Sequence, residues 1–302
     1  MMEPQRWVIG IILTLMASAG AQAQDVFLGG SFDFEARTGG ATTATFSRAA
    51  GVNLTFVREG ELEVFFDFNL AGGRGRTIQF YVTFPQLAKG MEVALGRRMV
   101  PFGLPEQDPI DRYVAGAPDI FDPFAKFRRG NIFLDTFGDG VFFAWGKNWA
   151  RVEAAWVDGP GDSRWNLFLR GSREWGSWRL GLSLFKGEDV QRTKVRFWGP
   201  HLHWQPRATT ALSAETFWGR LRGTDVKSTF LSLQHRFPNR PVETFLSLGA
   251  LDREAGASLT TTRLGGRYWL NPFSFVEARY EFNDAPAPDD DDLLVLRYRA
   301  DF

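Results

Sequence analysis

The last ten residues of the chain, "LLVLRYRADF" from Leu293 to Phe302, have the pattern of a β-strand. Residues two apart share one face of a strand. One face is mainly apolar, with Leu294, Leu296, Tyr298, Ala300 and Phe302, and the other carries Val295, Arg297, Arg299 and Asp301. Such a strand fits a soluble sandwich. It fits equally a transmembrane barrel whose apolar face meets lipid and whose charged face meets a water-filled interior.

The first residues favour export to a membrane. A short segment with Arg6 precedes an apolar run from Trp7 to Met16, and small residues lead to Ala21-Gln22-Ala23. This is the pattern of a secretory signal peptide cleaved after Ala23. The run is too short for a spanning helix, which needs about 20 residues. We therefore expect residues 1–23 to be a signal peptide and residues 24–302 to form one outer-membrane β-barrel.

The alternation seen at the end of the chain repeats through most of it. Segments of about ten residues alternate at period two, and their count reaches sixteen, an even number as in bacterial outer-membrane barrels. The later strands are predicted at 192–205, 208–219, 226–237, 241–251, 257–270, 273–283 and 293–302. The segment 192–205 is out of phase, and a β-bulge near Arg196 would restore its alternation. The fold class is therefore all-β, an antiparallel transmembrane barrel whose last strand closes against the first.

The composition narrows the possible functions. Basic and acidic residues are equal at 35 each, so no net field indicates nucleic acid. The absence of cysteine excludes thiol catalysis. His201 and His203 are two apart, but no third ligand accompanies them, so we expect no metal and no cofactor. No G-x-S-x-G elbow occurs, and an enzyme is not expected, although a hydrolase with a Ser/His pair stays open as an alternative.

One long interruption separates two alternating regions, from Arg97 to Gly140. An even strand count puts both termini on one side, expected to be periplasmic because turns such as "REG" and "PNRP" there are short. The interruption is then the third connection on the outer side. Its many aromatic residues argue against disorder, and a long loop in a compact fold is often functional. We expect it to fold into the barrel.

A family resemblance begins at the same place. "ALGRRMVPFGLPEQD", from Ala94 to Asp108, resembles a stretch of the phosphate-selective porins and related sixteen-stranded outer-membrane porins. The later "GDGVFFAWG" and "WVDGPG" are similar to that family's next hairpin. The resemblance implies a homotrimeric outer-membrane channel whose third loop makes the constriction. The terminal Phe302 also resembles the signature that the barrel assembly machinery reads, and outer-membrane lipid and lipopolysaccharide are the other expected partners.

Strand parity and the long connection predict a charged pore. The expected constriction residues are Arg97, Arg98, Asp108, Asp111, Arg112, Asp119, Asp122, Lys126, Arg128 and Arg129. The expected basic wall is Arg267, Arg279, Arg297 and Arg299, and replacing Arg279 and Arg297 with Ser is expected to lower anion preference. The alternative interpretation is that these charges form cross-strand ion pairs that only hold strand register. Against it, we expect Arg279 to lie beside Arg267 and Arg297 on neighbouring strands, where like charges would face each other.

These patterns predict an outer-membrane porin, a passive channel for small hydrophilic solutes or ions with a possible preference for anions. The main alternative is a barrel of structural or adhesive function in which the third connection closes the lumen. The loop composition leaves phosphate selectivity open, since its bases are few and five acidic residues accompany them: Glu106, Asp108, Asp111, Asp119 and Asp122.

Overall fold

A computed structural model describes residues 25–39, 42–69, 76–103, 137–147, 149–158, 165–188, 194–221, 223–254, 258–284 and 292–302. Sixteen antiparallel strands make up most of this part of the chain. They are β1 Asp25–Gly39, β2 Thr42–Arg58, β3 Leu62–Asn69, β4 Arg76–Ala88, β5 Met91–Met99, β6 Phe137–Lys147, β7 Ala150–Asp158, β8 Trp165–Trp175, β9 Trp178–Glu188, β10 Lys194–Arg207, β11 Thr210–Leu221, β12 Thr224–Arg236, β13 Val242–Arg253, β14 Leu259–Asn271, β15 Ser274–Asp284 and β16 Leu293–Asp301.

The strands close into one barrel in which each pairs with its neighbours in sequence and β16 pairs with β1. Closure matters because it gives edge backbone groups hydrogen-bond partners within the sheet. At the seam, the Phe302 N–H donates to the Gly30 oxygen at 2.9 Å and the Gly30 N–H donates to the Phe302 oxygen at 2.8 Å. A Cβ at Gly30 would lie 2.7 Å from the Gly51 backbone oxygen and 2.4 Å from the Phe302 ring, and the backbone contact explains glycine here. The predicted closure of the last strand on the first is confirmed.

The outer face is apolar and rich in tryptophan. Nine tryptophans lie on the outer face or turns of the sector β6–β11: Trp145, Trp149, Trp156, Trp165, Trp175, Trp178, Trp198, Trp204 and Trp218. Neighbouring rings approach each other across strands, with centroids 5.0 Å apart for Trp198–Trp218 and 5.0 Å for Trp178–Trp204. Because these pairs lie toward opposite ends of β10, they form two levels, as do the aromatic girdles that flank the lipid-facing band of transmembrane barrels.

The bulge expected near Arg196 is wrong. β10 pairs continuously with β9 from Lys194 to Trp204. Val195 and Phe197 face inward, where both are almost fully buried, and Trp198 faces outward. The strand looked out of phase because both of its faces carry apolar residues, one face against lipid and the other against an apolar cluster inside the barrel.

That inner cluster is the main packed core of the described residues. It lies inside the β5–β13 sector and holds Ala94, Val100, Phe102, Phe142, Ala155, Val157, Phe168, Phe185, Val195, Phe197, Phe217, Val226 and Leu251. Phe102 has no exposed surface, and its ring centroid lies 4.6 Å from that of Phe217. The first residues of the long connection therefore turn into the barrel.

Two sequence predictions fall outside the described residues. These are the signal peptide at 1–23 and the course of the long connection from 104 to 136, including its inward folding as a whole. Among the residues that are described, no helix is long and apolar enough to cross a bilayer.

Candidate functional site

The inner face of the barrel carries two different charged regions. The first, here called the ladder wall, is the inner face of β13, β14, β15, β16 and β1. Five residues lie directly opposite one another across these strands, in the order Glu243, Arg267, Glu277, Arg297 and Glu35. Their charges alternate in sign from strand to strand. Opposite charges on facing positions stabilise a strand pair.

Side-chain contacts strengthen this alternation. Arg267 donates to Glu277 at 2.8 Å and to Glu243 at 3.0 Å. Arg279, one step along β15, donates to Glu277 and Glu281, each at 2.7 Å, and to Glu35 at 3.1 Å. Glu277 has no exposed surface and Arg279 has 3 %. The ladder wall is therefore a dense network in which buried charges neutralise one another.

The four arginines predicted as a basic wall all lie on the ladder wall. Arg297 donates to Asp33 at 2.9 Å, and Arg299 donates to Asp301 at 2.9 Å. The expectation that Arg279 would face Arg267 and Arg297 as like charges is wrong, because the register places Gly265 and Val295 opposite Arg279. The wall is mixed in charge rather than basic. A role for these arginines in ion selectivity stays a prediction.

The second region, here called the cavity wall, surrounds a cavity of about 360 Å³ on the inner face of the β4–β9 sector. Within the part of the chain that the structure describes, the only carboxylate in its lining is Glu153, and the uncharged polar residues are Gln79, Tyr81 and Ser172. Four arginines line the cavity: Arg98, Arg151, Arg170 and Arg179. Side-chain exposure is 29 % for Arg98, 32 % for Arg151 and 25 % for Arg179. These guanidinium groups are thus several times more accessible than those of the ladder wall.

Carboxylates hold the cavity arginines in place. Arg98 donates to Glu92 at 2.8 Å and lies over the Tyr81 ring, 5.0 Å from its centroid. Arg170 donates to Glu153 at 2.7 Å. Arg151 contacts both Glu92 and Glu153 at 3.4 Å, and Arg179 is paired with Glu174. Four guanidinium groups and the carboxylate of Glu153 line the cavity, and guanidinium is well suited to binding carboxylate or phosphate.

The start of the long connection forms one side of this cavity. Met99, Val100 and Pro101 line it. The next turn is anchored to the strands behind it, because the Gly103 N–H donates to Ser183 Oγ at 2.9 Å and the Gly103 oxygen accepts from Arg170 at 3.2 Å. Gly103 has φ 77, and a Cβ there would lie 2.6 Å from Glu215 Oε2. Both observations explain glycine at this position.

The predicted constriction residues divide into three groups. Arg98 faces the cavity. Arg97 shares the outer face with Leu95 and contacts Asp139 at 2.7 Å, so it does not line the cavity. The other eight lie outside the described residues: Asp108, Asp111, Arg112, Asp119, Asp122, Lys126, Arg128 and Arg129.

Solved structures of outer-membrane proteins share this architecture. In-vitro folded OmpT, an outer membrane protein of Vibrio cholerae in a trimer form, matches with a TM-score of 0.69 at 13 % identity, over 92 % of this chain and 99 % of that one. The anion-selective porin from Comamonas acidovorans matches with a TM-score of 0.69 at 12 % identity, over 92 % and 99 %. Salmonella typhi OmpF, in complex with daunomycin, matches with a TM-score of 0.69 at 11 % identity, over 92 % and 97 %.

This is the porin fold. No family model matches the chain, and no curated protein matches its sequence. At these identities the likeness concerns architecture alone. The predicted porin-like barrel of sixteen strands is confirmed, and the phosphate-selective subtype stays a prediction.

The histidines show no metal centre. His201 and His203 both face inward, but no group of three metal-binding side chains occurs in the described part of the chain. His203 Nδ1 lies 3.0 Å from Ser213 Oγ. His201 Nδ1 lies 3.5 Å from Ser183 Oγ, and both side chains are buried. Ser183 is the residue that anchors Gly103, so this Ser/His pair belongs to the packing beneath the connection rather than to an accessible rim.

Strand parity puts Arg170 and Arg179 on the inner face, but it does not indicate a cavity. The missing information is curvature, because the cavity joins side chains from six strands. One signal was available, namely the number of arginines at inward positions between Arg98 and Arg179.

Proposed function

We propose that the protein is an outer-membrane porin, a passive channel for small hydrophilic solutes or ions. The observation that carries this proposal is the cavity wall: partly exposed arginines line a cavity inside a closed barrel whose outer face is apolar. Charged side chains that keep water contact inside such a barrel favour a hydrated path. Mechanism here is passage along that path, biased by the charges that line it.

The proposal includes a moderate preference for anions. Four guanidinium groups and one carboxylate line the cavity. The ladder wall opposes this bias little, since its charges are buried and neutralise one another. Charge on a pore lining raises the local concentration of the opposite ion. A solved porin with the same fold is named as anion-selective, which supports the assignment by analogy only.

The test is current through the purified protein in a planar bilayer under a potassium chloride gradient. Discrete conductance steps with a reversal potential of the sign for chloride would support the channel and its anion preference. Steps with the opposite sign would reject the anion preference and keep the channel. Absence of steps from protein verified as folded would reject the channel.

A closed lumen is the second candidate, and one observation favours it. The inner apolar cluster around Phe102 fills part of the β5–β13 sector. A barrel closed by such packing would serve as a structural or adhesive protein. Conductance separates the two functions, because only the channel gives ion current.

Location and assembly belong to the same proposal. We propose that the protein lies in the Gram-negative outer membrane after removal of residues 1–23, that the barrel assembly machinery recognises Phe302, and that the folded barrels form a homotrimer. A solved neighbour is described as a trimer form, which supports this assembly by analogy. Native mass spectrometry of the detergent-extracted protein tests it. A mass of one chain alone would reject the trimer.

A further inference from the structure

The outer face of the barrel carries a row of like charges that pore function does not require. Lys186 on β9 lies directly opposite Arg196 on β10, and Arg196 lies directly opposite Arg220 on β11. All three side chains are exposed and share the outward face with Leu184 and Trp198. Lys194 and Lys227 flank the row on the same face. These five residues are here called the cationic row.

Like charges at directly opposed positions destabilise a strand pair. Acidic neighbours compensate only part of the row. Arg220 contacts Asp225 at 3.0 Å, while Glu188 lies opposite Lys194 and Asp252 lies opposite Lys227. Among the described residues, neither Lys186 nor Arg196 forms an ion pair. The centre of the row is therefore an uncompensated positive site.

The position of the cationic row along the barrel axis indicates which group compensates its charge. Trp198 and Trp218 lie directly opposite each other, two residues from Arg196 and Arg220 toward the middle of their strands. Two residues of strand span roughly 6.6 Å. Interfacial tryptophans lie at the level of lipid headgroups. The cationic row then lies at the outer part of the headgroup layer, where phosphate groups occur.

Elsewhere on the described part of the outer rim, no such row of directly opposed cations occurs. At the same end of β13, β15 and the segment before β16, the outward charged residues among those described are acidic: Asp252, Asp284 and Asp292. The cationic row lies on four neighbouring strands, β9–β12, whereas Arg97, another outward cation at this end of the described barrel, is paired with Asp139. This restriction distinguishes a localised site from a uniformly solvated rim.

We infer that Lys186, Arg196 and Arg220, flanked by Lys194 and Lys227, bind a phosphate-bearing lipid headgroup in the leaflet at the long-connection end of the barrel. The guanidinium and ammonium groups would neutralise the phosphate, and the headgroup would in turn relieve their mutual repulsion. The ring pair Trp198–Trp218 would contact the lipid just below the headgroup. The inference requires that the barrel spans a bilayer, but it does not require an open pore.

Native mass spectrometry of the detergent-purified protein, titrated with phosphatidic acid or phosphatidylcholine, tests this inference. We expect the wild type to bind phosphatidic acid more tightly than phosphatidylcholine. The triple variant Lys186→Gln, Arg196→Gln, Arg220→Gln should lose this preference by at least about tenfold, since each cation near a lipid surface contributes on the order of 1 kcal/mol. The matched control removes three exposed cations at the opposite end, as Lys147→Gln, Arg173→Gln, Arg207→Gln, and should retain the preference.

A second readout separates a lipid site from a structural role. Arg196→Gln removes a repulsive contact, so it should raise the urea midpoint of unfolding in phosphatidylcholine bilayers. In bilayers containing phosphatidic acid it should lower that midpoint, because the headgroup loses a ligand.

Equal loss of preference in the two triple variants would overturn the inference, as would a wild type that does not distinguish the two lipids. A change of the urea midpoint in Arg196→Gln with the same sign in both bilayers would also overturn it. This single variant still tests the inference if the triple variant does not fold. Conductance is recorded on the same samples. Wild-type protein that prefers phosphatidic acid but passes no current would contradict the proposed channel and leave this inference supported.

Discussion

The ladder wall and the cavity wall use the same residue types in opposite ways. On the ladder wall, arginines and carboxylates alternate in direct register and exclude water, so that Glu277 has no exposed surface. On the cavity wall, Glu92 and Glu153 hold arginines whose remaining surface faces a cavity. The number of charges inside a barrel therefore does not indicate pore chemistry. Accessibility and the position of the counter-charge decide it.

In the proposed channel, the ladder wall would serve stability and the cavity wall would contact solute. A buried ion pair is not necessarily better than an apolar pair, because desolvation offsets much of the attraction. Breaking one is costly, however, since the remaining partner keeps its charge in a dry environment. We therefore expect large stability effects on the ladder wall and large transport effects on the cavity wall.

The largest expected effect is that of Glu277→Gln. Glu277 accepts from Arg267 at 2.8 Å and from Arg279 at 2.7 Å, so the substitution leaves two buried guanidinium groups short of one negative charge. We expect the free energy of unfolding to fall by about 3–5 kcal/mol. Urea unfolding in lipid vesicles, followed by tryptophan fluorescence, measures this.

A matched control for Glu277→Gln is Glu61→Gln. Its partner Arg58 lies at 2.9 Å, but the two side chains are 62 % and 44 % exposed. Exposed ion pairs contribute at most about 1 kcal/mol. Equal losses in the two variants would remove the structural distinction claimed for the ladder wall.

The register of the ladder wall also shows how far the sequence alone reaches. Period two correctly places Arg267, Arg279, Arg297 and Arg299 on the inner face, because side-chain direction in a strand follows from parity. Parity does not determine which residue lies opposite, since that depends on the stagger between strands. A wall of neutralised pairs was therefore interpreted as a basic wall.

The fold was more predictable than the site for a related reason. The late strands were predicted to within about two residues because lipid outside and water inside impose alternation on each strand independently. β10 departed from alternation where Phe197 meets the inner cluster, a tertiary contact that no local pattern contains. The cavity likewise depends on where Val100 and Pro101 turn into the barrel, which alternation does not specify.

An intermediate effect is expected for Gly103→Ala, at the edge of the cavity wall. Alanine at this position would have to adopt a φ of 77°, and its methyl group would meet Glu215, which is buried and has little room to move. We expect a loss of about 1–3 kcal/mol in the free energy of unfolding, with an altered single-channel conductance.

Gly176→Ala is the control for Gly103→Ala, since Gly176 has φ 60 with nothing within 4 Å of an added Cβ. It carries the backbone strain without the contact. If both alanine variants show the same stability and conductance, the anchoring of the connection at Gly103 has no role in shaping the cavity.

The smallest expected effect in free energy concerns ion selectivity, and it compares the walls directly. Removing one unit charge about 7 Å from a permeating ion in water changes their interaction by roughly 0.6 kcal/mol, which is a factor of about three in a permeability ratio. Arg98→Ser with Arg151→Ser should lower the chloride-to-potassium ratio by at least this factor, since both side chains are partly exposed.

The same measurement on the ladder wall uses Arg279→Ser with Arg297→Ser, and Arg297→Ser alone if the double variant does not insert. Arg279 is 3 % exposed and its neighbours Glu277 and Glu281 are also buried, so most of the change should appear in stability rather than in the reversal potential. A larger shift of the reversal potential here than on the cavity wall would reverse the assignment. The ladder arginines would then be the residues that permeating ions encounter, as the sequence alone predicts.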